Sequence, residues 1–173
     1  QLDIVCTPFF QSTKHLKNIL SACDAVVSGS VALRMVLPSN TCNWQSSDLN
    51  IYVPHHNHVQ LYNLLCKHNY IIVCNGRMNI ENYSPSTIYT VTTFRNGQKL
   101  INVIISRSAS ALSPIFQFHS MVMMNFFSAD SLYCAYPSLT LRHHAMVNTA
   151  SLHQHTFSAS SIQALLKYKS CGF

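Results

Sequence analysis

Between Ala25 and Val53 the chain reads AVVSGSVALRMVLPSNTCNWQSSDLNIYV, an order that leaves few folds open. Ala25-Val26-Val27 is short and rich in β-branched residues, and Ser28-Gly29-Ser30 closes it as a turn. Glycine at 29 permits a tight reversal and lets another group approach, because no Cβ stands in the way. Val31, Leu33, Arg34 and Leu37 then recur at helical spacing until Pro38, which cannot continue a helix. A loop from Ser39 to Ser47, polar apart from Trp44, leads to Leu49, Ile51 and Val53 alternating with Asp48, Asn50 and Tyr52. That period of two predicts a half-buried strand and sends Asp48 and Asn50 the same way. Strand, turn, helix and second strand together predict an α/β domain in which an anion-attracting turn faces a metal-facing pair of polar side chains.

The flanking segments fit a mixed sheet covered by helices. Ser12 or Thr13 can cap a helix that turns Leu16, Ile19 and Leu20 to one face. After Pro54, Val59, Tyr62, Leu65 and Cys66 are expected to form the inner stripe of a helix running to about His68. Tyr70 to Cys74 reads as a short strand, with a loop through Gly76 and Pro85. Thr87 to Phe94 and Lys99 to Ile105 read as an antiparallel hairpin around Arg95-Asn96-Gly97-Gln98. Asn102 stands in that second strand among Leu100, Ile101, Val103 and Ile104, where a buried amide needs a partner or an opening. Ala109 to Phe118 is expected to cross over as a short helix broken at Pro114. Met121 to Phe127 lacks a decisive period and reads as core filling. Leu132 to Tyr136 reads as a strand, Leu139 to Val147 as another mainly apolar element, and Ser161 to Tyr168 as a helix with Ile162, Leu165 and Leu166 on one side.

Composition bears on partners. The chain is 173 residues, 48% hydrophobic but only 9% charged, against roughly 25% charged in ordinary soluble domains. Its surface must therefore be built from neutral polar residues, which protect poorly against association. The formal charge of +6 permits attraction to nucleic acid, yet no run of four Lys or Arg and no basic-aromatic repeat supports a strand-tracking groove. Seven cysteines without a Cys-x-x-Cys pair read as free thiols of a reducing, intracellular compartment, cytoplasm or nucleus. The sequon at Asn82-Tyr83-Ser84 would matter only in a secreted chain. Ser108 to Ala129 lacks charge, but polar residues and Pro114 interrupt it, so no membrane span is expected. His55-His56-x-His58 has no acid or cysteine pair at diagnostic spacing and reads as an exposed helix start. His119, His143 and His144 read as packed or exposed neutral rings. Neither Cys23 nor Cys74 lies in a local sequence that predicts activation, and both read as buried thiols.

VSGSVALR at 27–34, DLNIYV at 48–53 and LINVI at 100–104 together resemble the nucleotidyltransferase superfamily typified by DNA polymerase beta. With FHSMVMMNFF at 118–127 and AYPSLTL at 135–141, the chain is also similar to a group of fungal proteins carrying such a domain. The resemblance covers about 12–147, with 148–173 as a C-terminal helical extension that reads as cut. It implies a nucleotidyltransferase-like mixed sheet flanked by helices. It also implies phosphate positioning by Gly29 and Ser30, a metal-ligand role for Asp48, and metal-facing places for Asn50 and Asn102. Complete members hold two divalent ions with carboxylates for in-line transfer. Here two of the three implied positions are neutral amides, which can coordinate Mg2+ or Mn2+ but bring no charge. Glu81 and Asp130 are the remaining acids to consider. The implied reading is an inactive domain retaining a nucleotide, nucleic-acid or protein partner. A metal-dependent transferase using a nucleoside triphosphate, a protein-interaction module and an unrelated α/β domain stay open as alternatives.

Overall fold

Strand alternation and hairpin geometry assemble one seven-stranded mixed sheet, seen in a computed structural model that describes residues 2–38, 44–76, 87–148 and 159–173. In chain order the elements are α1 (Leu2–Cys6), α2 (Thr13–Ala22), β1 (Val26–Ser28), α3 (Ser30–Val36), β2 (Asp48–Pro54), α4 (His58–Lys67), β3 (Ile71–Gly76), β4 (Ile88–Asn96), β5 (Lys99–Ser106), β6 (Asn125–Phe127), β7 (Leu132–Cys134), α5 (Pro137–Thr140) and α6 (Ala159–Ser170). The spatial order is β3-β4-β5-β2-β1-β6-β7. β2 and β5 run parallel, and every other neighbouring pair is antiparallel.

Each face of the sheet has its own apolar layer. Leu49, Ile51, Ile101 and Val103 point to the layer filled by Leu16, Ile19 and Leu20 of α2 and by Leu61 and Leu65 of α4. Tyr52, Ile104 and Val91 point to the opposite layer, filled by Leu33 and Leu37, by Ile115, Phe118 and Met123 from the segment after β5, and by Tyr168 of α6. Because both faces are covered, β2 is not the half-buried strand that its alternation predicts: Tyr52, on the polar phase, is 0% exposed. Only Asp48 and Asn50 on that phase escape full burial.

α2 begins as expected, with Ser12 in extended conformation and its Oγ accepting from the His15 amide at 3.4 Å. α4 has the predicted length, and Leu65 and Tyr62 of the expected stripe face inward, but Leu61 joins them in place of Val59 and Cys66. Leu61 and Leu65, one turn apart, are buried, Tyr62 flanks them with its hydroxyl donating to Thr92 Oγ1, and Val59 is 58% exposed with Cys66 also outward. The hairpin turn falls within the expected Arg95-Asn96-Gly97-Gln98 stretch. Asn96 pairs with Lys99, so Gly97 and Gln98 are the two loop residues, and only Gly97 takes positive φ, at +59°. That is the pattern of a type II′ turn rather than an Asn-Gly type I′ turn.

The quieter segments add detail. Leu2–Cys6 is helical, and the apolar run at 121–127 fills the core as expected, divided into a 3-10 turn, Met121–Met123, and strand β6. The crossover after β5 is turns with a single 3-10 stretch, Ile115–Gln117. Beyond the four-residue α5, Leu141 and Met146 are exposed instead of forming an apolar element. α6 spans the predicted helix, but Ile162 and Leu166 are exposed, and Tyr168 is its buried anchor. Among the described residues no helix is long and apolar enough to cross a membrane.

Candidate functional site

The register places a row of small polar side chains straight across four central strands. Ser28 of β1 pairs with Asn50 of β2, Asn50 with Asn102 of β5, and Asn102 with Thr93 of β4. Directly paired residues share a sheet face, so all four stand on the side covered by α3 and the segment after β5. Asp48, two residues before Asn50, lies on the same face.

Asn102 is the hub. Its Nδ2 donates to Asp48 Oδ2 at 2.8 Å and to Asn50 Oδ1 at 3.0 Å, while its Oδ1 accepts from Thr93 Oγ1 at 2.9 Å. Both amide protons are thereby used, and the amide has one workable orientation. Turning it over would set its carbonyl oxygen against the Asp48 carboxylate, two acceptors with no proton between them. Asp48 Oδ1 is served more weakly, by Ser47 Oγ at 3.4 Å.

Gly29 explains how this cluster meets the turn. It stands at φ +82°, ψ −154°, a conformation reserved for glycine. A Cβ there would lie 2.9 Å from Asn50 Nδ2. Glycine thus provides both the backbone path into α3 and the room into which the Asn50 amide leans. The turn itself is enclosed: Ser28, Gly29 and Ser30 are all buried, and Ser28 Oγ donates to the Asn125 carbonyl at 2.6 Å. The close approach anticipated at Gly29 is therefore made by a side chain of the same protein.

All five sequence-predicted residues, Gly29, Ser30, Asp48, Asn50 and Asn102, fall on elements that meet at this corner, with contacts linking Gly29 to Asn50 and Asn102 to both β2 residues. Asp130 does not join them. It sits in the β6–β7 turn, beyond the opposite end of β1, and Glu81 lies outside the described residues along with the sequon and the loop through Pro85. Asp48 is thus the only carboxylate that the described residues bring to the corner. Among them no group of three His, Cys, Asp or Glu side chains is arranged to hold a metal ion, at the corner or elsewhere.

Thr93 and Asn125 belong to the corner but carry no motif. Thr93 follows from the hairpin only once its loop is known to be Gly97-Gln98, which sets it opposite Asn102, whereas an Asn96-Gly97 loop does not. Asn125 is fully buried; its Nδ2 donates to the Val122 carbonyl at 2.7 Å and its Oδ1 has no partner among the described residues.

The other candidate groups have ordinary structural explanations. Burial pushes the Cys23 thiol up to about 11, with the nearby Asp24 charge adding to it, so no thiolate nucleophile forms there at neutral pH. Cys74 is only half-buried, which corrects its expected place in the core. His119 stacks on Tyr168, 6.4 Å between ring centres, and burial holds it below the usual histidine range. His55 packs edge-on against Tyr89 and its ring lies 5.1 Å from that of His58.

No family model, no curated protein and no solved structure matches the chain.

Proposed function

We propose that the chain is a nucleotidyltransferase-type domain that has lost two-metal catalysis and serves as a binding module. The observation that carries this reading is the bridge made by Asn102: a neutral amide donates two hydrogen bonds into the space between Asp48 and Asn50, where a complete family site would hold a cation between carboxylates. An N–H donor supplies the partner that a carboxylate otherwise finds in a metal, without recruiting an ion from solution. For a divalent ion to enter, Asn102 would have to withdraw both protons from Asp48 and Asn50, turn its carbonyl inward and release Thr93. The ion would then meet a single negative charge, whereas magnesium sites rely on carboxylates together with substrate phosphates. The buried Gly29–Ser30 turn adds support, because an open phosphate cradle would need its backbone amides accessible.

Calorimetry with magnesium and manganese, alone and with a mixed nucleoside-triphosphate set, tests this reading. The wild-type chain is expected to give no metal-dependent nucleotide conversion. The Asn50→Asp/Asn102→Asp double variant is expected to gain at least about tenfold in metal affinity, since two added charges restore the acidic set. No gain would sink the placement of the corner, and wild-type turnover abolished by Asp48→Ala would restore the transferase.

A protein partner is the binding role with its own observation. β3 is an edge of the sheet among the described residues, and Ile71, Ile72 and Val73 on it are 64%, 46% and 42% exposed. Successive exposed aliphatics on an edge strand invite pairing with another chain.

A further inference from the structure

At the beginning of β1, away from Gly29, the sheet opens into a cleft of about 580 Å³, within the roughly 300–1,000 Å³ typical of small-ligand sites. Its wall includes Val26, Ala111 and Phe126, and it carries two carboxylates, Asp24 and Asp130. Both come from the same end of the antiparallel β1–β6 pair, Asp24 just before β1 and Asp130 just after β6. No Lys, Arg or His lines the cleft among the described residues. In a chain of net charge +6 with only five acidic residues, two of them thus share one concave surface with no basic side chain in its lining among the described residues.

The carboxylates are held but not neutralised. Asn57 Nδ2 donates to Asp24 Oδ2 at 3.1 Å and to the Cys23 carbonyl at 3.0 Å, tying the start of β1 to the corner before α4. The β6–β7 turn is closed by Ser128 N donating to the Ser131 carbonyl at 2.8 Å and by Ser128 Oγ accepting from the Ser131 amide at 3.2 Å, which fixes the backbone that carries Asp130. The Asp130 carboxylate itself accepts no hydrogen bond among the described residues. Beside it, Tyr133 is stacked on Phe126, with 4.8 Å between ring centres and 20° between planes, and stays 49% exposed.

We propose that this cleft binds an organic cation, an ammonium or guanidinium group on an apolar stem. The carboxylates would take the charge, the exposed Tyr133 ring would add the attraction of its π face for a cation, and Val26, Ala111 and Phe126 would cover the stem. Anions are repelled by the two carboxylates. A bare divalent ion is disfavoured because hard cations need about six oxygen ligands, and two carboxylates on an apolar wall do not supply them. The site is independent of the nucleotidyltransferase reading, since it shares no residue with the Gly29 corner.

Titrating the 15N-labelled chain with phenethylammonium chloride, and in parallel with uncharged 2-phenylethanol, reads the proposal out residue by residue. Amide shifts should concentrate at 24–26, 109–112 and 128–133. Binding should weaken at least about fivefold in Asp130→Asn and in Asp24→Asn, each of which loses one charge interaction, and the alcohol, which loses both, should bind at least about tenfold more weakly. Acetyl-lysine methylamide distinguishes the source: binding as tight as phenethylammonium points to a basic side chain of a peptide, and weaker binding to a free amine. Absence of cleft shifts up to about 10 mM amine, a range that detects even millimolar affinity, would overturn the proposal. So would equal binding of the alcohol, or unchanged affinity in Asp130→Asn with the fold intact by its amide spectrum.

Discussion

At the end of β1 that leads to Gly29, four polar side chains on neighbouring strands satisfy one another: Asn102 serves Asp48, Asn50 and Thr93 at once. At the other end, Asp24 leans on one asparagine and Asp130 on nothing among the described residues. The corner is half-buried and closed by its own amides; the cleft is concave and carries charge that, among the described residues, only Asn57 answers. A ligand gains most where polar groups are still unpaired. A group entering the corner must first replace hydrogen bonds that already exist, each worth about 0.5–1.5 kcal/mol net and more when a charge is involved. A cation entering the cleft displaces only water. Polar residues gathered at one place are therefore not equivalent to a binding site; what matters is whether their donors and acceptors are left over.

Substitutions can break this contrast, and the largest effect is expected at Gly29. Gly29→Ala forces a side chain onto φ +82° and sets its Cβ 2.9 Å from Asn50 Nδ2. Backbone strain of about 1–3 kcal/mol, together with displacement of Asn50 from the cluster, should lower unfolding free energy by about 2–4 kcal/mol in a denaturant melt. A loss below about 0.5 kcal/mol would mean that the corner yields easily and is not the closed end of the pair.

Asn102→Leu should come next. It leaves the Asp48 carboxylate and the Asn50 carbonyl without their shared donor and Thr93 without its acceptor, at a cost of about 1–3 kcal/mol. Thermal unfolding of this variant beside Asn102→Ala separates lost hydrogen bonds from lost volume, because both remove the amide but only the leucine fills its space. Equal stability of Asn102→Leu and wild type would show that the bridge contributes little and that the corner is as unsatisfied as the cleft.

The smallest effect sharpens the contrast from the other side. Asp130→Asn removes a carboxylate with no described partner, so its unfolding free energy should stay within about 0.5 kcal/mol of wild type. A loss comparable to that of Asn102→Leu would reveal a partner for Asp130 and remove the reason to expect a ligand there.

Much of the corner could be read along the chain. Period-two alternation in β2 puts Asp48 and Asn50 together because the pleat sends every second side chain one way, and a lone amide in an apolar strand marks Asn102 as a residue that needs company. Thr93 was hidden by the turn. Moving the two-residue loop from Asn96-Gly97 to Gly97-Gln98 changes which β4 residue faces Asn102, and local propensity favours Asn-Gly while the register chosen by the whole sheet favours the other. Val59 and Cys66 of α4 face outward for a related reason: a short helix offers more than one apolar stripe, and only the sheet beneath it selects Leu61 beside Leu65.

The cleft was not legible at all. Asp24 and Asp130 are separated by most of the sheet's sequence, and neither belongs to a periodic pattern. They become neighbours only because β6 returns antiparallel beside β1, pairing Val27 with Phe127. The local features, the glycine turn, the α2 cap and the polar phase of β2, are written in the order of residues, since they follow from steric freedom and side-chain period within a few positions. Tertiary structure alone decided which polar groups find partners and which are left facing solvent, because hydrogen-bond satisfaction is a property of groups brought together from distant positions.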